Sequence, residues 1–253
     1  MAEIVSSERW KEAQSSEKEF WDLFGTAEIR KNHEDAYIKK INHFSKIWGK
    51  IIKLDKDTKV LQIGCGPLDI INYIKFGKRY SVDPLANFYR TKFKFDYDSA
   101  NLVQAGGEEL PYKDNTFDLV ILANVLDHVN NPEKVLSEAK RVLKKEGVMH
   151  FECAYYQRSF LVISKFYGFF KKIFTKETFN VHHPYMFSLK KLKKLLKKYF
   201  KVQRGKIGEN FGSEVHNLKD VKKLRMKQKL TRKIPALFGI LGNITYSAIC
   251  YKN

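Results

Sequence analysis

Gly64, Cys65 and Gly66 follow the apolar run Val60-Leu61-Gln62-Ile63, and Pro67 ends the turn. Glycine is chosen where a backbone turns with positive φ or where something must come close. A strand, a glycine turn and a helix N-terminus together make a cradle for a nucleotide-like ligand. Asp83 ends the next short strand-like segment, Lys78–Val82. An ionised aspartate there is acceptor-only and can take both hydroxyls of a ribose. His128, His182 and His183 offer a different chemistry, because imidazole exchanges protons near neutral pH. Asp127 is a second candidate base or substrate ligand, and capping of the following helix is the alternative for it. His182 and His183 do not complete a metal set. Cys65, Cys153 and Cys250 have no paired spacing, so neither a metal site nor a disulfide framework is expected.

These residues need elements to position them. Residues 8–50 read as helical, with Tyr37, Ile41, Phe44, Trp48 and Ile51 recurring at steps of four and three. They are expected to pack on the edge of the main domain or to cap its ligand cleft. From Lys59 strand and helix alternate. Strands are expected at Lys59–Ile63, Lys78–Val82, Asn101–Gln104, Phe117–Ala123 and Gly147–Cys153, with helices at Ile70–Phe76 and Pro132–Leu143. Continuous apolar strands in such an alternation mean a parallel sheet covered on both faces. Beyond Cys153 come an aromatic segment at Phe160–Phe174 and a helix capped by Ser188, whose Leu189, Leu192, Leu196, Tyr199 and Phe200 form an apolar stripe. KVQRGKIG and ITYSAICYK read as the last strands. One domain is expected: a helical cap over 1–56, a core over 57–153 and an elaborated region over 154–253.

Of 253 residues, 43% are hydrophobic and 14% aromatic, which suits a globular chain and excludes a disordered one. The first residues are too charged for a signal peptide, and no apolar stretch reaches the roughly 20 residues of a spanning helix. A reducing, cytoplasmic setting is expected. The net charge is +19, and it is unevenly placed. Through Cys153 there are 24 basic and 24 acidic residues; beyond it, 23 basic residues face only 4 acidic ones. That asymmetry points to an anionic partner for the C-terminal region, against the plainer reading that lysine-rich helix faces keep the chain in solution.

The order VLQIGCGP, VDP, GEELPYKDNTFDLV, NVLDHVNNP, RVLKKEGVMHFE resembles class I S-adenosylmethionine-dependent methyltransferases, in the branch with the quinone-biosynthesis and small-molecule enzymes. The similarity covers roughly residues 57–153, and HHPYMFSLKKLKKLLKKYF resembles a later region of the same families. The resemblance implies a Rossmann-like, mostly parallel α/β sheet of seven strands with helices on both faces, an N-terminal helical cap and a C-terminal insertion. It implies S-adenosyl-L-methionine as cofactor. Gly64, Cys65 and Gly66 would approach the methionine moiety and Asp83 the ribose. Glu108 or the amides around Gly107 would meet the adenine, and Asn124 would line the methionine end. Gln62 stands where the family carries an acidic residue, Leu68 where it carries a glycine, and Gly106 where the third strand usually ends in an acid.

The expected reaction is methyl transfer, directed at oxygen, on a small or lipid-linked acceptor such as a glycan precursor. ERWKEAQSSEKEFW, GCGPLDIINYI and DPLANFY resemble methyltransferases associated with surface polysaccharides. The Phe160–Phe174 segment and the lysines could form a lid, or could lie on an anionic membrane as a peripheral anchor. Two other readings compete. The basic region could bind RNA for methylation, although no RNA-binding module is recognisable. Alternatively, Gln62 and Leu68 could mark a cofactor-binding adapter with weak catalysis.

Overall fold

The computed structural model describes residues 5–24, 27–67, 70–93, 101–156, 161–162, 164, 166, 183–207 and 244–252. His182, Leu68, most of the Phe160–Phe174 segment and the basic stretch before the last strand lie outside the described residues.

Two helices, α1 (Ser7–Phe24) and α2 (Ala27–Trp48), precede the first strand. Seven strands then build one sheet: β1 (Lys59–Ile63), β2 (Lys78–Asp83), β3 (Leu102–Gln104), β4 (Phe117–Ala123), β5 (Leu143–Tyr155), β6 (Phe200–Ile207) and β7 (Ile244–Lys252). Their spatial order is β3-β2-β1-β4-β5-β7-β6. The first five are parallel to their neighbours, while β7 runs antiparallel to both β5 and β6. The chain order reverses direction between β1 and β4. In an open α/β sheet, that switch point opens a crevice at the carboxyl ends of the strands.

Period-two alternation divides the core between the two faces of the sheet. Leu61, Ile63, Val120, Leu122, Met149 and Phe151 pack under α4 (Pro132–Val142) and α5 (Leu189–Tyr199). Val60, Leu119, Ile121 and Val148 pack against Ile41, Phe44 and Trp48 of α2. The four-three spacing in α2 therefore marks a core face, as expected. Of the two remaining members, Ile51 packs partly buried on the same cluster just beyond the helix, and Tyr37 lines the ligand crevice. In α5 the buried stripe includes Leu195 as well as Leu192 and Leu196, so the apolar face is wider than the expected one.

Capping follows the local sequence. Asn131 Oδ1 accepts the amides of Glu133 and Lys134 at the start of α4, and Pro132 needs no partner for its missing N–H. Ser188 Oγ accepts the Lys191 amide at the start of α5. Two expectations are corrected. Ile70–Phe76 is a single 3-10 turn over Ile70–Tyr73, because Gly77, at φ +71°, turns the chain back into β2 before an α-helix can grow. Residues 86–92, unassigned in the sequence reading, form a short helix, α3 (Ala86–Lys92), with Ala86 and Tyr89 buried.

Arg141 fastens the segment that precedes β4. Its guanidinium donates to the carbonyls of Leu110 and Tyr112 and pairs with Glu138 and Asp114. Glu138 in turn accepts the Leu110 amide at 2.9 Å. The carbonyl bonds are the ones a substitution cannot replace. Arg141→Ala should therefore lower the unfolding free energy by about 2 kcal/mol, about 1 kcal/mol for each carbonyl bond lost. Urea unfolding of the two proteins measures the difference.

Candidate active site

The glycine turn sits where β1 meets the crevice. Gly64 and Gly66 have φ of +66° and +62°, which side chains rarely adopt. A Cβ on Gly64 would lie 2.5 Å from Val125 Cγ2, so here glycine is required by the fold as well as by φ. A Cβ on Gly66 would have only Trp21 Cζ2 nearby, at 3.8 Å; its glycine leaves open space. That space belongs to a cavity of about 250 Å³, lined on one side by the turn, Asp83, Gly107 and Asn124. Cys65, Gln62 and Glu108 also line it.

Asp83 joins the turn to the next strand. Its Oδ2 accepts the Gly66 amide at 2.9 Å and its Oδ1 the Leu85 amide at 2.8 Å. Each oxygen keeps a second lone pair for a ligand hydroxyl. Burial pushes the Asp83 carboxyl up to about 6, the two amides pull against it, and the charge of Glu17 adds to the rise. Other expected contacts have structural duties. Gln62 Oε1 accepts the Ile71 amide at 3.0 Å and so caps the 3-10 turn. Glu108 Oε1 accepts the amides of Asn130 and Asn131, tying its loop to the start of α4. Gly107 is buried against Ile63 and Val135, where an added Cβ would lie a tight 3.0 Å and 3.2 Å from their methyl carbons. Asn124 holds a left-handed turn at φ 57° and donates its amide to the Glu152 carbonyl.

The histidines meet around Asp127. His183 Nδ1 lies 2.9 Å from Asp127 Oδ2, and the His128 ring is 4.4 Å from that of His183, centroid to centroid. His128 lines the cavity, with its Nε2 3.9 Å from Asp127 Oδ2. Asp127 is buried. Burial works to raise its carboxyl, but the charges of both histidines and the His183 hydrogen bond hold it below the ordinary range. Ligand-type atoms of Asp127, His128 and His183 lie within 4.8 Å of one another, a grouping that sequence spacing did not suggest. The 2.9 Å contact has the length of a carboxylate–imidazole hydrogen bond, which sets His183 with a proton on Nδ1 and a basic Nε2. His182 falls outside the described residues.

The lining residues of the α1 wall, within the expected N-terminal helical region, were not singled out in the sequence. Trp10, Gln14, Glu17 and Trp21 of α1 all line the cavity. Their steps of four, three and four mark one helical face, but its mixed polarity hides it from a search for apolar stripes. Glu17 Oε1 accepts Trp21 Nε1 at 2.9 Å, and its Oε2 faces His128 Nδ1 at 3.2 Å.

The pKa of Asp83 carries a stability consequence with a definite sign. Its folded value of about 6 exceeds its ordinary 3.8, so the protein without ligand loses stability as pH rises through 6. At about 1.36 kcal/mol per unit, the full penalty is about 3 kcal/mol. Measured from about pH 4 to about pH 7.5, the unfolding free energy of wild type should fall by up to that amount relative to Asp83→Asn. A difference that stays flat with pH would mean that Asp83 ionises normally.

Residues 61–151 match the family described as Methyltransferase domain. An uncharacterised protein, MJ0638 of Methanocaldococcus jannaschii, is 43% identical over 93 residues, 36% of this chain and 39% of that protein. The ubiquinone/menaquinone biosynthesis C-methyltransferase UbiE of Psychromonas ingrahamii is 40% identical over 75 residues, 28% of each chain. The chain thus spans well under half the length of these curated relatives. Among solved structures, geranyl diphosphate C-methyltransferase of Streptomyces coelicolor A3(2), in complex with S-adenosyl-L-homocysteine, has a TM-score of 0.57 at 10% identity, covering 84% of this chain and 79% of that one. That likeness shows the fold. With the open space at Gly66 and the buried acceptor at Asp83, the cradle fits the glycine-turn and ribose roles of such a cofactor. Residues 61–151 thus match a methyltransferase domain, and the relatives support one of the S-adenosylmethionine-dependent kind.

Proposed function

We propose that the protein methylates a hydroxyl oxygen of a small or lipid-linked, glycan-type acceptor, with the Asp127–His183 pair as the proton acceptor. The hydrogen bond between His183 and Asp127, next to the cavity-lining His128, carries this reading. S-adenosylmethionine, when bound, supplies a methyl carbon on a sulfonium whose sulfur departs as a neutral thioether. A hydroxyl is a weak nucleophile until its proton is taken. A base held in one tautomer by a buried carboxylate serves that need, and it contributes about 10²–10⁴-fold. His183 Nε2 would take the proton of the acceptor hydroxyl, and the bound cofactor would supply the methyl group that the oxygen receives. Asp127 stabilises the imidazolium that results. The glycine turn and Asp83 keep the methyl donor in line, and α1 over the cavity excludes water.

Two surface features support a lipid-linked acceptor. Val162 and Phe166 are 56% and 64% exposed, although both are large and apolar. Lys190, Lys191, Lys194 and Lys197 stand exposed on the outer side of α5. An anionic membrane surface would take both, the lysines contributing about 1 kcal/mol each. Among the described residues no helix is long and apolar enough to cross a membrane. Carbon methylation of a hydroxylated ring is the second reading, favoured by the UbiE relative, because the same base would ionise a ring hydroxyl.

Membranes incubated with the protein and methyl-labelled S-adenosylmethionine should carry the label into the organic-solvent fraction. Acid hydrolysis should then release it on an O-methyl sugar. Label on ring carbon would select the second reading, and label in RNA would move the function to nucleic acid. With the acceptor in hand, His183→Ala should lower kcat by about 10²-fold or more while cofactor affinity is kept. An unchanged kcat would remove His183 from the reaction.

A further inference from the structure

The cavity has a charge opposite to that of the chain. The protein carries +19 overall, yet among the described residues the cavity is lined by the carboxylates of Glu17, Asp83 and Glu108, with neither lysine nor arginine. His128 is the one basic group on that wall, and behind it stands a further carboxylate, Asp127. Even with His128 and His183 both protonated, four carboxylates against two imidazoliums leave the cluster negative above the Asp83 pKa of about 6. A cavity of that sign in a basic protein is built for a cation.

The four carboxylates are not equally available. Asp127 lies behind His128 and His183, and Glu108 Oε1 accepts two amides of the loop before α4. Asp83 carries two amides at the end of β2 and suits hydroxyls. At the end of β1, Gln62 is neutral and its oxygen serves Ile71. Glu17 differs in kind. It comes from α1, across the cavity from the glycine turn, one helical turn from the Trp21 ring that faces Gly66. Burial acts to raise its carboxyl, but the bond and charge of His128 and the Trp21 bond hold it below the ordinary range, so it is ionised at neutral pH. Each of its oxygens has one partner and room for another donor.

We infer that Glu17 is the counter-charge for the cationic half of the cofactor, delivered by α1 rather than by the sheet. The inference rests on S-adenosylmethionine being the ligand. That cofactor brings two cationic groups, the α-ammonium and the sulfonium, against one carboxylate, a net single positive charge, and either cation is matched by a carboxylate at this wall. Because Glu17 is tied to His128, the same contact links cofactor occupancy to the cluster around Asp127. It also gives α1, whose cavity face sets Gln14 and Glu17 between two tryptophans, a reason to lie over the crevice: the helix brings a charge.

Calorimetric titration of wild type and Glu17→Gln with three ligands tests this. S-adenosylmethionine carries ammonium and sulfonium, S-adenosylhomocysteine only the ammonium, and 5′-deoxy-5′-methylthioadenosine neither. The variant should bind S-adenosylmethionine about tenfold to a hundredfold more weakly, as for loss of a charged hydrogen bond, and methylthioadenosine within about twofold of wild type. Equal losses for the first two ligands assign the ammonium; loss for S-adenosylmethionine alone assigns the sulfonium. A Gln62→Glu change added to Glu17→Gln returns a carboxylate to the cavity, still able to accept the Ile71 amide, and should restore affinity for the charged ligands. No loss for any ligand overturns the inference. So does an equal loss for all three that the double variant fails to recover, since α1 would then act only as a cover. Failure of the wild type to bind any of the three would instead defeat the cofactor assignment, and this inference with it.

Discussion

A buried carboxylate governs the ligand end of the sheet. Asp83 is only 6% exposed, at the tip of β2, and its two oxygens hold the amides of Gly66 and Leu85. Removing a charge from water is costly unless it is well paired, and two neutral N–H donors offset only part of that cost. The remainder appears as a carboxyl raised to about 6. The same bonds set the shape of the cradle. The Gly64 amide reaches the Val82 carbonyl at 2.8 Å, so turn and strand are fastened at both backbone and side chain. A carboxyl raised in this way gains from any ligand that brings it hydroxyl donors or positive charge.

Around this fixed edge the other groups arrive on separate elements. Glu17 comes on α1, Asp127 and His128 on the loop after β4, and His183 on the segment leading to α5. Backbone and side-chain bonds hold the last two together. The Tyr185 amide donates to the Asp127 carbonyl at 3.2 Å, and its hydroxyl donates to the Asn130 carbonyl at 2.6 Å. The Val5 amide donates to that same hydroxyl, which links the start of the described chain to the histidine cluster. The N-terminal segment, the histidine cluster and the glycine turn are thus connected through direct contacts, and a shift of α1 would be felt at His128. The lysine-rich outer face of α5 stands apart from this acidic interior. It is exposed to solvent, whereas the cavity is lined by carboxylates.

Much of the architecture was legible in the residues. Strands β1 and β4, KVLQI and FDLVILA, are short, nearly continuous apolar runs, and such runs arise when both faces of a parallel strand are covered. Ile41, Phe44 and Trp48 announced the core face of α2 by their spacing, and Asn131 and Ser188 announced their caps by type. The glycine turn and Asp83 could be read because their task is local: positive φ at Gly64 and Gly66, and an acceptor at a strand end. The 3-10 turn could not be read as one, because its termination depends on Gly77 packing over Thr58.

What the sequence alone determined was therefore the sheet, its order of elements and the half of the site that one strand-turn-strand unit builds. Tertiary structure alone decided the rest. No periodicity relates Glu17, Asp127, His128 and His183, and their meeting depends on how α1 and the segment before α5 close over the crevice. Likewise the acidic character of the cavity cannot be seen in a composition with a net charge of +19. Charge in a sequence is a sum, whereas a ligand meets only the few side chains that folding turns inward.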